Sequence, residues 1–219
     1  MNRRPALLAA ATLTAAAVLS LSACGGGDDG SKGDDRIDGA GSGESASAKP
    51  SPSASDDGID RPEIRLPKDL KNVFEGRRTG DPKKDAVLAD NERRVNSVAE
   101  AITVDKKDHP ALKFYSSGDA LVSSASYIKS FYDDGRSVGG TTRYYDRKVT
   151  FLKKDVAAVT YCMDGSGAYS KDRETGKAQK PDAPSPSDYF FYNTRLEKNP
   201  KGVWVTTSVS SIAKAKQCM

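Results

Sequence analysis

Residues 141–163 read Thr-Thr-Arg-Tyr-Tyr-Asp-Arg-Lys-Val-Thr-Phe-Leu-Lys-Lys-Asp-Val-Ala-Ala-Val-Thr-Tyr-Cys-Met. β-Branched and aromatic side chains, which fit a pleated, half-buried surface, crowd both halves, and Lys153-Lys154-Asp155 between them has the composition of a turn. Residues 141–152 and 156–163 are therefore expected to be two strands, the second apolar enough to be central. On the C-terminal side, residues 168–180 are expected to form a ragged hairpin around Thr175-Gly176. Residues 181–186, with three prolines, read as a loop. Residues 188–196 and 202–212 read as two more strands, joined through Asn199-Pro200-Lys201-Gly202.

Moving N-terminally, the apolar period changes from strand to helix. Asp81 can cap free N–H groups and Pro82 suits a first helical turn, where its missing N–H costs nothing. Leu88, Val95, Val98 and Ile102 then form one stripe that ends near Thr103, while Asp90, Glu92, Arg93, Arg94 and Glu100 fall elsewhere on the helix. His109-Pro110 opens a short turn or helix through Tyr115. Asp119 is the expected cap of a second amphipathic helix, with Leu121, Ala125, Ile128 and Phe131 on its core side and Asp133-Asp134-Gly135 as its stop. Helices followed by antiparallel strands imply a single α+β domain over residues 81–219. At about 140–155 residues, such a domain is ample for one core.

The start of the chain has a different character. Arg3 and Arg4 precede an almost wholly apolar run, residues 6–21, that is short for a membrane helix of roughly 20 residues. Leu21-Ser22-Ala23-Cys24 follows at once, then three glycines. A basic start, an apolar run, small residues and a Cys, in that order, read as a secretory leader over residues 1–23. Residues 24–60 are Gly, Ser, Ala, Asp and Pro with little apolar content, so they cannot offset their ordering entropy and are expected to be a disordered tether. A flexible coil of about 35 residues spans roughly 30–35 Å end to end. Residues 61–80 carry Ile64, Leu66, Leu70, Val73 and Phe74, too apolar for a tether. They are expected to dock on the domain as an arm, with a short helix around residues 69–75.

The formal charge is +4, and loss of Arg3 and Arg4 with the leader leaves +2. That near-balance gives no ground for a nucleic-acid partner. With Cys24 set aside, Cys162 and Cys218 remain, and two cysteines in an exported chain favour a disulfide over two free thiols or a metal pair. No Cys or His stands close enough in sequence to complete a metal set, and no cofactor is implied.

Leu21-Ser22-Ala23-Cys24 resembles the bacterial lipobox, in which the Cys thiol takes a diacylglyceryl group. That implies lipidation at Cys24, a bilayer as partner and a place on the outer face of the cell membrane; two acyl chains hold stably where one is marginal. Thr79-Gly80-Asp81-Pro82, residues 115–120, residues 140–145 and Tyr161-Cys162-Met163-Asp164 resemble lipoproteins of high-GC Gram-positive bacteria. Those are similar to the nuclear-transport-factor-2-like superfamily, also called cystatin-like α+β cones, and the resemblance covers residues 67–218. It implies a curved antiparallel sheet wrapped around N-terminal helices, a pocket at the cone's open end, and a bond between Cys162 and Cys218.

Enzymes on that fold, of isomerase or cyclase type, need an acid or base in a dry pocket. The one histidine, His109, sits among charges before a proline and reads as a solvent-facing loop residue. Asp164, after an apolar strand, is the best-placed carboxylate, though a turn or cap role suits it better. Aromatic residues dominate the predicted strands, and Tyr144, Tyr161, Tyr192 and Trp204 join Asp164 as candidates for a pocket wall. Strand alternation sends Trp204 and Val205 to opposite faces. The sequence thus favours a non-enzymatic, membrane-anchored envelope protein that binds a small ligand or an envelope protein. An extracytoplasmic isomerase- or cyclase-like enzyme and an accessory module of cell-wall assembly are the other two readings.

Overall fold

Strands β2 (Arg136–Lys153) and β3 (Val156–Asp172) pair antiparallel and form the backbone of the sheet. The structure is a computed structural model and describes residues 57–219. The leader, Cys24 and the tether up to residue 56 lie outside the described residues. β5 (Tyr189–Lys198) pairs antiparallel with β3, and β6 (Trp204–Ala213) with β5. β4 (Ala178–Gln179) returns briefly along the end of β3. The fifth member of the main path, β1 (Leu70–Phe74), lies parallel to β2, giving the order β1-β2-β3-β5-β6. Three helices, α1 (Pro82–Thr103), α2 (Pro110–Tyr115) and α3 (Gly118–Asp133), precede the long strands. The class is α+β, with a curved, unclosed sheet.

Two β-bulges give the long strands their bend and change which residues face the helices. Asp146 and Arg147 together oppose Tyr161, and Asp146 has a positive φ of 50°. Before this bulge Thr142 and Tyr144 point to the helices; after it Arg147, Val149 and Phe151 do. A second bulge, around Gly165 and Ser166, does the same to β3.

Residues 69–75 form a strand, not the expected short helix. The exposed edge of β2 supplies pairing groups that local propensity cannot anticipate: Leu70 lies opposite Gly140 and Phe74 opposite Tyr144. Phe74 stacks on Tyr144 with ring centroids 4.8 Å apart. Gly140, at φ 87°, takes a left-handed conformation, and any Cβ there would run into the Gly167 carbonyl. Ile59 and Ile64, upstream of β1, pack beside Val203 and Tyr115.

Asp81 caps α1 by accepting the Lys83 N–H at 2.9 Å. Leu88, Val95 and Ile102 are buried as their spacing predicts. The helix is also buried on much of its polar side, because the chain before β1 covers what an amphipathic helix would leave wet. Asp90 accepts the Trp204 N–H at 2.9 Å and faces Arg93 at 2.9 Å and Arg61 at 3.6 Å. Glu92 pairs with Arg147 at 2.6 Å and Arg77 at 3.2 Å. Glu100 accepts the Arg65 N–H and meets Lys106, both at 3.0 Å.

In α3 the expected cap is displaced. Ser117 occupies the N-cap position and Asp119 sits in the first turn, where its charge complements the helix dipole. Ala120, Ser124, Ile128 and Phe131 form the buried stripe, while Ala125 faces solvent.

Cys162 and Cys218 form a disulfide with Cα atoms 5.4 Å apart. It holds the C-terminal turn (Lys216–Cys218) on the sheet face away from α1, packed with Tyr145, Tyr189, Phe191 and Ala215. The Tyr145 hydroxyl donates to the Cys218 carbonyl.

Candidate functional site

Between α1, α3 and the concave face of the sheet lies a cleft of about 540 Å³. Its floor comes from alternation along β3 and β5: Tyr161 and Met163 point in on one strand, Phe190 and Tyr192 on the next. Tyr144 joins from β2, and Val95, Val98 and Ile102 of α1 form an apolar side. Tyr161 and Tyr192 stack with centroids 5.1 Å apart, and Tyr144 meets Tyr161 edge-on at 6.0 Å.

The wall holds one cation, Arg94. Arg94 is 8% exposed and donates from Nη2 to Ser124 Oγ at 2.7 Å, with the Tyr161 hydroxyl near enough to feel its charge. Burial is the main cause that holds the hydroxyls of Tyr144, Tyr161 and Tyr192 above the ordinary tyrosine range. Neighbouring tyrosines push Tyr144 and Tyr192 further up, and Arg94 opposes the shift at all three. These phenols are therefore neutral hydrogen-bonding groups at physiological pH, not anions that could balance a guanidinium.

Of the residues proposed from sequence, the cleft brings together Tyr144, Tyr161 and Tyr192. Asp164 lies outside it. Met163 and Gly165 face the cleft, so alternation turns Asp164 to the opposite side, where it accepts the Ser166 N–H at 2.9 Å and faces Arg143 at 3.4 Å. Its part is that of a local turn acceptor and an ion-pair partner. Trp204 also lies outside the cleft: it is packed near Phe151 in the core, centroids 6.0 Å apart, while Val205 turns toward Phe114, Ile59 and Ile64. His109 precedes α2, away from the cleft. Sequence reasoning missed Arg94, because a charged residue that follows Glu92 and Arg93 on a helix carries no mark of burial. Its one signal is position: Arg94 directly precedes Val95, on the buried stripe.

Among the described residues, no group of three His, Cys, Asp or Glu side chains is placed to hold a metal ion, and no helix is long and apolar enough to cross a membrane.

No protein-family model and no curated protein sequence matches the chain. Solved structures do. A ketosteroid isomerase-like protein from Erwinia carotovora atroseptica SCRI1043 is 17% identical, with a TM-score of 0.42, over 60% of this chain and 95% of its own. The intermembrane space region of the chloroplast protein ARC6 is 15% identical, with a TM-score of 0.37, over 59% of this chain and 97% of its own. A protein of Shewanella frigidimarina NCIMB 400 described as a ketosteroid isomerase is 12% identical, with a TM-score of 0.35, over 64% of this chain and 100% of its own.

Proposed function

We propose that the domain is a non-enzymatic binding module that takes a small, largely apolar ligand into the cleft between α1, α3 and the sheet. It works at the outer face of the cell membrane, held there by a diacylglyceryl group on Cys24. The composition of the cleft wall carries the ligand-binding reading. Val95, Val98, Ile102, Met163 and Phe190 offer apolar surface, and a few hydroxyls, among them those of Ser124, Tyr144, Tyr161 and Tyr192, lie in the same wall. Ligand sites have this form, within roughly 300–1,000 Å³. The wall acid, Asp188, accepts the Ser185 N–H at 2.6 Å as part of a capping box, so its carboxylate serves the local turn.

A neutral apolar dye, Nile red, should bind the full chain with enhanced emission. Ser123→Trp, at an exposed position in the cleft wall, should weaken that binding about tenfold or more, a loss of at least ~1.4 kcal/mol. Equal binding by the variant would place the dye elsewhere and sink the reading. The anchor rests on the lipobox resemblance: Cys24→Ser is expected to abolish acyl labelling of the chain in its own cells, and persistent labelling would refute it.

A further inference from the structure

Resting on the reading of the cleft as a ligand site, we infer that its ligand is an anion with an apolar body, a carboxylic acid whose head group pairs with Arg94. Arg94 is a buried charge with no counter-charge among the described residues. The other buried arginine, Arg147, meets Glu92 at 2.6 Å, and half-buried Arg61 meets Asp57 at 2.7 Å and Asp90 at 3.6 Å, while half-buried Arg173 donates to the Ile102 and Arg136 carbonyls. Arg94 makes no salt bridge among the described residues. Its hydrogen-bond partner is the neutral hydroxyl of Ser124, the nearby Tyr161 phenol is also neutral, and its Nε is buried with no acceptor.

An unbalanced cation in a low-dielectric wall is costly, and proteins keep buried charges paired or use them. Asp188, the acid of the same wall, is held by Ser185 through the rim turn. Glu100, the buried acid further along α1, is held by the Arg65 N–H and Lys106. The counter-charge is therefore left to the ligand.

The neighbours of Arg94 suit an oxyanion. A planar guanidinium presents a fork of donors that matches a carboxylate. The hydroxyls of Tyr144, Tyr161 and Tyr192, kept protonated by their burial, are further donors in the same cleft wall. Apolar side chains of the remaining wall, among them Leu70, Val95, Val98, Val138 and Phe190, match a hydrocarbon body.

The test compares decanoate with decanol as competitors for Nile red on the full chain and on Arg94→Met and Arg94→Lys. Decanoate should compete about tenfold or more better than decanol on the wild type, equivalent to ~1.4 kcal/mol. Arg94→Met should erase that preference by weakening decanoate competition relative to decanol, and Arg94→Lys should retain part of it. Arg94→Met should also raise the Tm of the ligand-free chain, because it replaces an unpaired buried charge by an apolar side chain of similar length. Decanol competing as well as decanoate on the wild type would overturn the inference and leave the ligand site standing. A preference for decanoate that survives in Arg94→Met would also overturn it. Failure of Nile red, decanol and decanoate all to bind would remove the ligand site itself, and the inference with it.

Discussion

Asp90→Ala is expected to cost the domain about 3–5 kcal/mol, the range measured when one partner of a buried charge cluster is removed. Set against a typical stability of 5–15 kcal/mol, that loss threatens folding at physiological temperature. The reason lies in what Asp90 holds together. Its carboxylate accepts the Trp204 N–H at 2.9 Å and faces Arg61 and Arg93, linking α1 to the first residue of β6 and to the chain before β1. Burial pushes the Asp90 carboxyl above the ordinary aspartate value, while the Trp204 N–H and the two arginines pull it back. A raised folded-state pKa means that stability is lost, not gained, as pH rises through it and the group ionises. The cost of Asp90→Ala therefore comes from the partners left behind: a buried N–H with no acceptor, and an Arg61 Nη1 with no charge opposite. Asp90→Asn, which keeps an acceptor for Trp204, should lose less. Trp204 is the chain's one tryptophan and is buried beside this cluster, so its emission in a urea titration reads the transition directly. A loss below about 1 kcal/mol in Asp90→Ala, no more than an ordinary substitution costs, would sink the account.

The second large effect is the loss of the Cys162–Cys218 bond. The two residues are 56 apart in sequence, and closing a loop of that length removes unfolded-chain entropy worth about 4 kcal/mol. Cys162→Ala together with Cys218→Ala should lower stability by about that amount, and the reduced wild type should lose a similar amount. The bond and its neighbours Tyr145, Tyr189 and Phe191 lie on the face away from the cleft. Nile red affinity per folded molecule should therefore be unchanged in the double variant. A double variant as stable as the oxidised wild type would show that the C-terminal turn stays docked without its bond.

Much of this fold was legible in the sequence because the period of apolar residues reports burial wherever one face is buried and the other wet. The 141–163 pair, α1 and the last two strands satisfy that condition. The rest failed for identifiable reasons. β1 has its partner about seventy residues away, and no local pattern records an available sheet edge. The bulge at Asp146 reverses alternation halfway along β2, so Arg147 enters the core although its sequence parity matches exposed Arg143 and half-buried Tyr145. Asp90, Glu92, Arg94 and Glu100 look like a solvated helix face because their partners come from distant segments. The cleft was partly visible: Tyr144, Tyr161 and Tyr192 were identifiable as aromatic strand residues. Asp164 and Trp204 were equally plausible until the faces were assigned, and Arg94 had no signal strong enough to separate it from its charged neighbours.

The parallel pairing of β1 with β2 also sets an order of events during synthesis. Leu70 leaves the ribosome seventy residues before Gly140, its partner. At 5–20 residues per second that interval is about 4–14 s. Throughout it, Leu70, Val73 and Phe74 have no sheet to join. The sheet can gain this edge only after β2 has appeared, so the newborn chain must carry an apolar segment unpaired, open to chaperones and to other chains.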